Sequence, residues 1–464
     1  MYLFAPRHIR FRSALCVAFV ATVGFNVTLA AAQDSNSEIL NLWLDTFNSG
    51  DPVKMREFQL QYLGSSDIAF ASDVRDESGG FDLSNIEVDE PLKTTALLRE
   101  RNFPATWRVT LSRKDTTTPT LSNIEYHALP MSQSAALASL DAFATRLDKA
   151  DKFSGVIAVE KHGKVIFKKA WGLAERTGKR PVTLDTPFLF ASQGKMFTAV
   201  AVLQQVAAGQ VALDDPVGKY LTDYPNREVA TKVTIRHLLT HQGGTGEMGL
   251  LERQDGANRA TVQSITDIIK LNGNRAPAFE PGSRWDYSNY GFVLLGAVVE
   301  KVSGQDYYRY IEKHIFTPAR MVHTSYPLRE HMSIVATGYT TFKGETQLHD
   351  SSDQLPWRGT PAGGGVSTAG DMLRFVDALN AGKLIPLPLL DEATKRHGRF
   401  GYGFISSSTE GLAFWGHGGG APGNSLVLDY YPVTDTSLIC MSNRDPPVCD
   451  RLAWNYLFRS PRQP

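Results

Sequence analysis

FLFASQGKMFTAVAVLQQVAAG, residues 188–209, places Ser192 and Lys195 at the head of a long apolar run. At i and i+3 of a helix the two side chains share a face, about 4.5 Å apart along the axis. Pro187 and the residues after it put Ser192 in the first turn. There a hydroxyl lies beside unpaired backbone N–H groups and the positive end of the helix dipole, a setting that suits an oxyanion. A lysine at its ordinary pKa of about 10.4 is a poor base at neutral pH. Burial under Met196, Phe197, Val200 and Leu203 would lower that value, as would a second cation. Four residues alone favour an N-cap serine with a surface lysine. The decision rests on what else in the chain can meet the pair.

Two other stretches supply candidates. PGSRWDYSNYGFVLLGAVVE carries Tyr287-Ser288-Asn289 in a loop just before an apolar helix. A tyrosine near a lysine can share its proton, and an asparagine can both donate to and accept from a substrate amide or ester. FWGHGGGAPGNSLVLDYYP carries His417-Gly418-Gly419-Gly420 at a strand end, where glycines let backbone N–H groups approach a substrate closely. Each stretch in isolation also reads as a polar helix cap or a flexible hairpin.

Taken together, S-x-x-K, Y-x-N and H-x-G in this chain order resemble the class C β-lactamase and penicillin-binding-protein-like serine hydrolases. That group includes esterases and D-aminopeptidases. LDDPVGKYL (213–221), VTIRHLLTH (233–241) and GGGVSTAGDMLRF (363–375) strengthen the resemblance, which covers about residues 150–455. It implies an α+β fold: an antiparallel sheet flanked by helices, with an inserted helical region. Carried over by position, Ser192 resembles the acyl-accepting nucleophile, and Lys195 and Tyr287 the paired general base and acid. Which of those two takes the serine proton stays open in the sequence. Asn289 resembles the substrate-orienting amide, and His417, Gly418 and Gly419 the third substrate-binding motif. The N–H groups of Ser192 and Gly420 resemble the oxyanion hole.

The departures bear on substrate. β-Lactamases and D-Ala-D-Ala peptidases typically carry Lys-Thr-Gly where this chain has His417-Gly418-Gly419. A histidine is mostly neutral at pH 7 and glycine brings no hydroxyl, so carboxylate anchoring should be poor. HQGG at 241–244 stands where the family often shows His-Thr-Ser-Gly, and is expected to alter the pocket wall. Gly194 inside S-x-x-K is also unusual.

The rest of the chain sets the frame. Its 464 residues, 42% apolar and 21% charged, exceed one ordinary domain. With 48 basic and 48 acidic residues there is no field to attract nucleic acid. Arg7, Arg10 and Arg12, an apolar run from Ala14 to Phe25 and an A-x-A site at Ala30–Ala32 read as a cleaved export signal over 1–32. A periplasmic or secreted protein without stable membrane insertion is therefore expected, and Cys440 and Cys449 are free to form a disulfide or remain buried thiols. Residues 33–130 read as a small α+β domain, with Ile39, Leu42, Trp43 and Phe47 on one helix face and Trp107, Val109 and Leu111 on one strand face. The domain resembles NTF2-like cones, and packing, homodimerisation or substrate gating is its expected role. Residues 131–464 form the hydrolase domain. Its strands lie at both sequence ends: a hairpin turning at His162-Gly163, then RFGYGFIS, LAFWGHGG, SLVLDYYP and TSLICMSN.

Three lesser motifs are set aside. His237 and His241 are at i and i+4, but Leu238 replaces the glutamate of H-E-x-x-H and no third zinc ligand is evident. GVSTAG (365–370) lacks the last glycine of a nucleophile elbow; Ser367 and Thr368 read as helix caps, with Asp371 completing the box. GGG (363–365) lacks the lysine of a phosphate loop. The expectation is an exported serine hydrolase that needs no cofactor or metal and cleaves an ester or amide through an acyl group on Ser192. The alternatives are a β-lactamase, a D-Ala-D-Ala carboxypeptidase or D-aminopeptidase, and a non-catalytic peptide-binding protein.

Overall fold

A computed structural model describes residues 36–248, 262–341, 347–398, 400–409 and 411–462. The export signal read over 1–32 lies outside the described residues. The described chain divides into two compact units: one from Ala144 to Trp454, the other made of the residues up to Phe143 together with Asn455–Pro461.

The smaller unit begins with α1 (Asn36–Ser49), α2 (Pro52–Phe58) and α3 (Ala69–Ser78). Strands β1 (Phe81–Glu90), β2 (Lys93–Glu100), β3 (Thr106–Arg113) and β4 (Leu121–Ala128) follow as an antiparallel meander in the order β1-β2-β3-β4. Trp107, Val109 and Leu111 point into the core as their alternation demands. On α1 the buried stripe is Ile39, Leu40, Trp43 and Phe47, whereas Leu42, expected inside, is 44% exposed. At 100° per residue the buried four span one flank of the helix and Leu42 falls outside it. Phe47 stacks on Phe81 at 5.1 Å between ring centroids.

Beside this aromatic core lies a fully buried cation. Arg459 donates to Glu77 at 2.5 Å and to Glu100 at 2.7 Å, and its guanidinium lies 5.1 Å from the Trp107 ring. Trp107 Nε1 donates to the same Glu100 carboxylate at 2.5 Å. Burial works against the Arg459 charge, but the two carboxylates outweigh it and raise its pKa further.

The larger unit is built around a six-stranded antiparallel sheet. Helix α4 (Gln133–Lys149) leads into β5 (Gly155–Lys161) and β6 (Lys164–Trp171), which join at His162-Gly163 with His162 at φ 51°. The other strands are β7 (Ile405–Thr409), β8 (Leu412–Ala421), β9 (Asn424–Tyr431) and β10 (Thr436–Ser442), in the order β7-β8-β9-β10-β5-β6. The sheet is thus closed by segments far apart in sequence, with Thr436 opposite Lys161 and Ser442 opposite Gly155. RFGYGFIS is strand only from Ile405; residues 401–404 bend, with Gly403 at φ 72°.

Between the two halves of the sheet the chain is mostly helical. Helix α5 (Gly194–Ala207) is buried on nearly every side, and α6 (Asn289–Ser303) packs along it. Helix α7 (Ala369–Asn380) covers β5 and β10, and Thr368 caps it by accepting from the Asp371 N–H at 3.2 Å. Of the capping expected for that segment only Thr368 takes part: Ser367 Oγ bonds the Thr324 hydroxyl at 2.7 Å, and the Asp371 carboxylate accepts from the His323 N–H at 2.7 Å and the Thr324 hydroxyl at 2.8 Å instead of closing a box. Cys440 on β10 and Cys449 on the closing helix α8 (Val448–Arg459) are joined in a disulfide, with Cα atoms 5.5 Å apart. Among the described residues no helix is long and apolar enough to cross a membrane.

Candidate active site

Ser192 sits in a single 3₁₀ turn, Ala191–Gln193, that feeds directly into α5. Glycines make the turn possible. A Cβ on Gly363, whose φ is 140°, would lie 1.9 Å from the Ala191 carbonyl oxygen. A Cβ on Gly194 would meet Gly363 Cα and Phe190 Cε2, both at 2.8 Å. The unusual glycine within S-x-x-K is therefore a steric requirement of this chain: the backbone around Gly363 leaves no space for a side chain.

One turn on, Lys195 is completely buried. Its Nζ contacts Asn289 Oδ1 at 2.6 Å, the Ala362 carbonyl at 2.8 Å and Ser192 Oγ at 3.3 Å. The Tyr287 ring centroid is 4.7 Å away and that of Phe292 5.6 Å. Burial lowers the Lys195 pKa to about 7, against a smaller upward pull from Glu247. The apolar helix does what the sequence suggested: it makes the ammonium costly.

Asn289 is the first residue of α6, and Ser288 caps that helix by accepting from the Gly291 N–H at 2.9 Å. The Tyr287 hydroxyl is buried and makes no hydrogen bond of good geometry. Burial pushes its pKa upward, against a smaller lowering by the nearby Ser192 side chain. Ser192, Lys195, Tyr287 and Asn289 therefore converge, as the family resemblance implied.

The third stretch arrives on β8. That strand pairs with β7 only as far as Gly416. Beyond it, Gly418–Ala421 pair with β9 on one edge, and β8 runs beside the Ala191–Gln193 turn. Gln193 Nε2 donates to the His417 carbonyl at 3.1 Å, tying strand to turn. A Cβ on Gly419 would lie 3.1 Å from Ala191 Cβ, which shows how closely this backbone approaches Ser192. His417 does not behave as the cation that its motif position implies. Burial and the neighbouring Lys195 lower its pKa to about 3, so the ring is neutral. Its Nδ1 is engaged with the Gly418 carbonyl at 2.5 Å, and its buried Nε2 has no partner.

Of two further residues of the site, Glu247 was not singled out from sequence, and His241 was named only in the rejected zinc pair and at the head of HQGG, expected to shape the pocket wall. His241 stacks on Tyr287 at 4.3 Å, accepts from the Ser288 N–H at 3.1 Å, and is held neutral by burial and by Lys195 and His417. His237 does something else. It caps its own short helix through Nδ1 and the Thr234 N–H, so the two histidines of HLLTH serve different ends. Glu247 accepts from Asn289 Nδ2 at 2.7 Å. An acidic residue in TGEMG, directly after HQGG, was the available signal for it.

The family model described as Beta-lactamase matches residues 140–459, and the chain belongs to this family of serine hydrolases. It is similar to penicillin-binding protein 4* of Bacillus subtilis (strain 168), 30% identical over 320 residues that cover 64% of this chain and 70% of that one. Similarity to the esterase EstB of Burkholderia gladioli is 35% over 198 residues, covering 40% of this chain and 50% of the esterase. Among solved structures, a penicillin-binding protein from Bacillus halodurans superposes with a TM-score of 0.61 at 27% identity, over 68% of this chain and 97% of that one. The mixed α/β architecture of the larger unit is the one it shares with that structure.

Proposed function

We propose that the protein is an exported hydrolase that cleaves an ester or amide lacking a carboxylate anchor, through an acyl-enzyme on Ser192. The observation that carries this reading is the environment of Lys195. Its Nζ touches two groups that only accept, Asn289 Oδ1 and the Ala362 carbonyl, and then Ser192 Oγ. A neutral amine has two N–H bonds and one lone pair. With both N–H bonds given to the two acceptors, the lone pair faces the serine hydroxyl. Lys195 is thereby the base and Tyr287, raised in pKa, a proton donor.

In acylation the Ser192 proton moves to Lys195 Nζ while Oγ bonds to the carbonyl carbon. The oxyanion accepts from the N–H groups of Ser192 and Gly420. The bond to the leaving alcohol or amine then breaks, and the leaving group takes the proton, directly or through Tyr287. Water adds to the acyl carbon in the same sense and frees Ser192. Asn289 orients the substrate beside the His417–Gly419 backbone.

Neutral His417 and Gly418 favour esters over β-lactams, because neither supplies a charge or hydroxyl for a substrate carboxylate. The relatives include proteins named for penicillin binding and for ester hydrolysis, so the substrate has to be tested directly. The smaller unit, a meander with helices, is read as an NTF2-like accessory and the candidate for dimer formation.

A fluorophosphonate probe should label wild type and not Ser192→Ala; equal labelling would remove the nucleophile assignment. In a panel of p-nitrophenyl esters, D-amino-acid amides, D-Ala-D-Ala peptides and nitrocefin, the esters should turn over fastest. Preference for nitrocefin would restore the β-lactamase reading.

A further inference from the structure

The orientation of one side-chain amide decides whether Lys195 can act as described. Turned the other way, Asn289 would present Nδ2 to Lys195. The amine would then have to accept from it, and its lone pair would be lost to Ser192. The loop Thr245-Gly246-Glu247 prevents this. Its backbone is fastened to the cap of α6: Ser288 Oγ donates to the Gly246 carbonyl at 2.5 Å and takes the Thr245 hydroxyl at 2.9 Å. Arg275 adds a contact to the Thr245 carbonyl at 3.4 Å. So placed, the Glu247 carboxylate meets Asn289 Nδ2 at 2.7 Å. An ionised carboxylate only accepts, so Nδ2 must face it and Oδ1 must face Lys195.

Resting on the function proposed above, we infer that Glu247 is a positioning residue that sets the polarity of the Glu247–Asn289–Lys195–Ser192 relay and directs the lysine lone pair at the serine. The chain of contacts is continuous, at 2.7, 2.6 and 3.3 Å in turn. Glu247 also raises the Lys195 pKa against burial. The other titratable groups around Lys195 are Tyr287, His241 and His417, and both imidazoles are driven to the neutral form. Glu247 is accordingly the group whose removal shifts the lysine downward.

Wild type, Ser192→Ala, Glu247→Ala and Glu247→Gln are compared by fluorophosphonate acylation rate and by the pH profile of kcat/KM for p-nitrophenyl acetate. Glu247→Ala should lower the plateau by about 10- to 100-fold, the usual scale for losing a group that orients a reactive one. Glu247→Gln can still accept from Asn289 and should lose less. In both, the acid limb should move to lower pH, because the charge that raises Lys195 is gone. A limb left at the wild-type pH in both variants overturns the inference, whatever happens to the plateau, since a purely structural role would not move it. Should Glu247→Ala fail to fold, the near-isosteric Gln variant alone decides. Failure of the underlying reading looks different: the wild type would not label, or Ser192→Ala would label equally.

Discussion

Lys195 and Arg459 are both fully buried, yet one lies beside a serine hydroxyl and the other inside a packed aromatic core. The difference is in the compensation. Arg459 holds two carboxylates at 2.5 and 2.7 Å and keeps its charge. Lys195 is given uncharged acceptors, with the Glu247 carboxylate one residue removed behind Asn289, and its pKa falls to about 7. Desolvation is common to both; direct ion pairing turns one into structure, and its absence leaves the other a titrating base. The choice of residue follows. A guanidinium does not lose its proton in a protein, whereas an amine does so readily when buried.

The contrast can be broken by exchange. Lys195→Met should reduce p-nitrophenyl ester turnover by roughly 10²–10⁴-fold, the scale of a lost general base. Lys195→Arg should do as badly, because it restores charge and not basicity; activity near wild type in that variant would end the neutral-amine argument. In the smaller unit Arg459→Met leaves the buried Glu77 and Glu100 carboxylates without a counter-charge and should cost roughly 3–5 kcal/mol in urea unfolding. Arg459→Lys keeps the charge without the planar fork and should lose less, about 1.5–3 kcal/mol. Equal losses would mean that the fork is what the carboxylates require.

Gly194→Ala improves helix propensity but drives a methyl group into Gly363 and Phe190, so a net loss of about 1–3 kcal/mol is expected by thermal melting. Wild-type stability in that variant would show that the turn can relax. The smallest effect is one of shape. Lys195 must be unprotonated to act, and its pKa is lowered to about 7, so kcat/KM should rise with pH through about 7. Below that value it should fall about tenfold for each pH unit. A limb near pH 10 would mean that the lysine keeps its ordinary pKa.

Much of the site was legible because its residues stand in short motifs. Ser192 and Lys195 are one turn apart, and Tyr287 and Asn289 bracket a helix start. Glu247 and His241 were not legible as partners, since they reach Asn289 and Tyr287 across 42 and 46 residues with no spacing rule to connect them. The neutral state of His417 was expected from its ordinary pKa; how far enclosure deepens it is not encoded in a motif. In the fold, the hairpin at His162 and the strands of the C-terminal half followed from alternation and turn chemistry. The β1–β2 pair did not: β1 is exposed over most of its length and shows no inward stripe.

The centre at Arg459 also bears on how the chain is made. During vectorial synthesis the helices and meander of residues 36–128 emerge long before Arg459, which must reach Glu77 across 382 positions. Strand β5 similarly waits for β10 before its second edge is covered. The smaller unit cannot reach its final packing until Arg459 has left the ribosome, nor the larger until residues 436–442 have. Until then both depend on whatever holds nascent chains soluble, and a stop codon ahead of residue 436 would leave two incomplete folds rather than one intact and one missing.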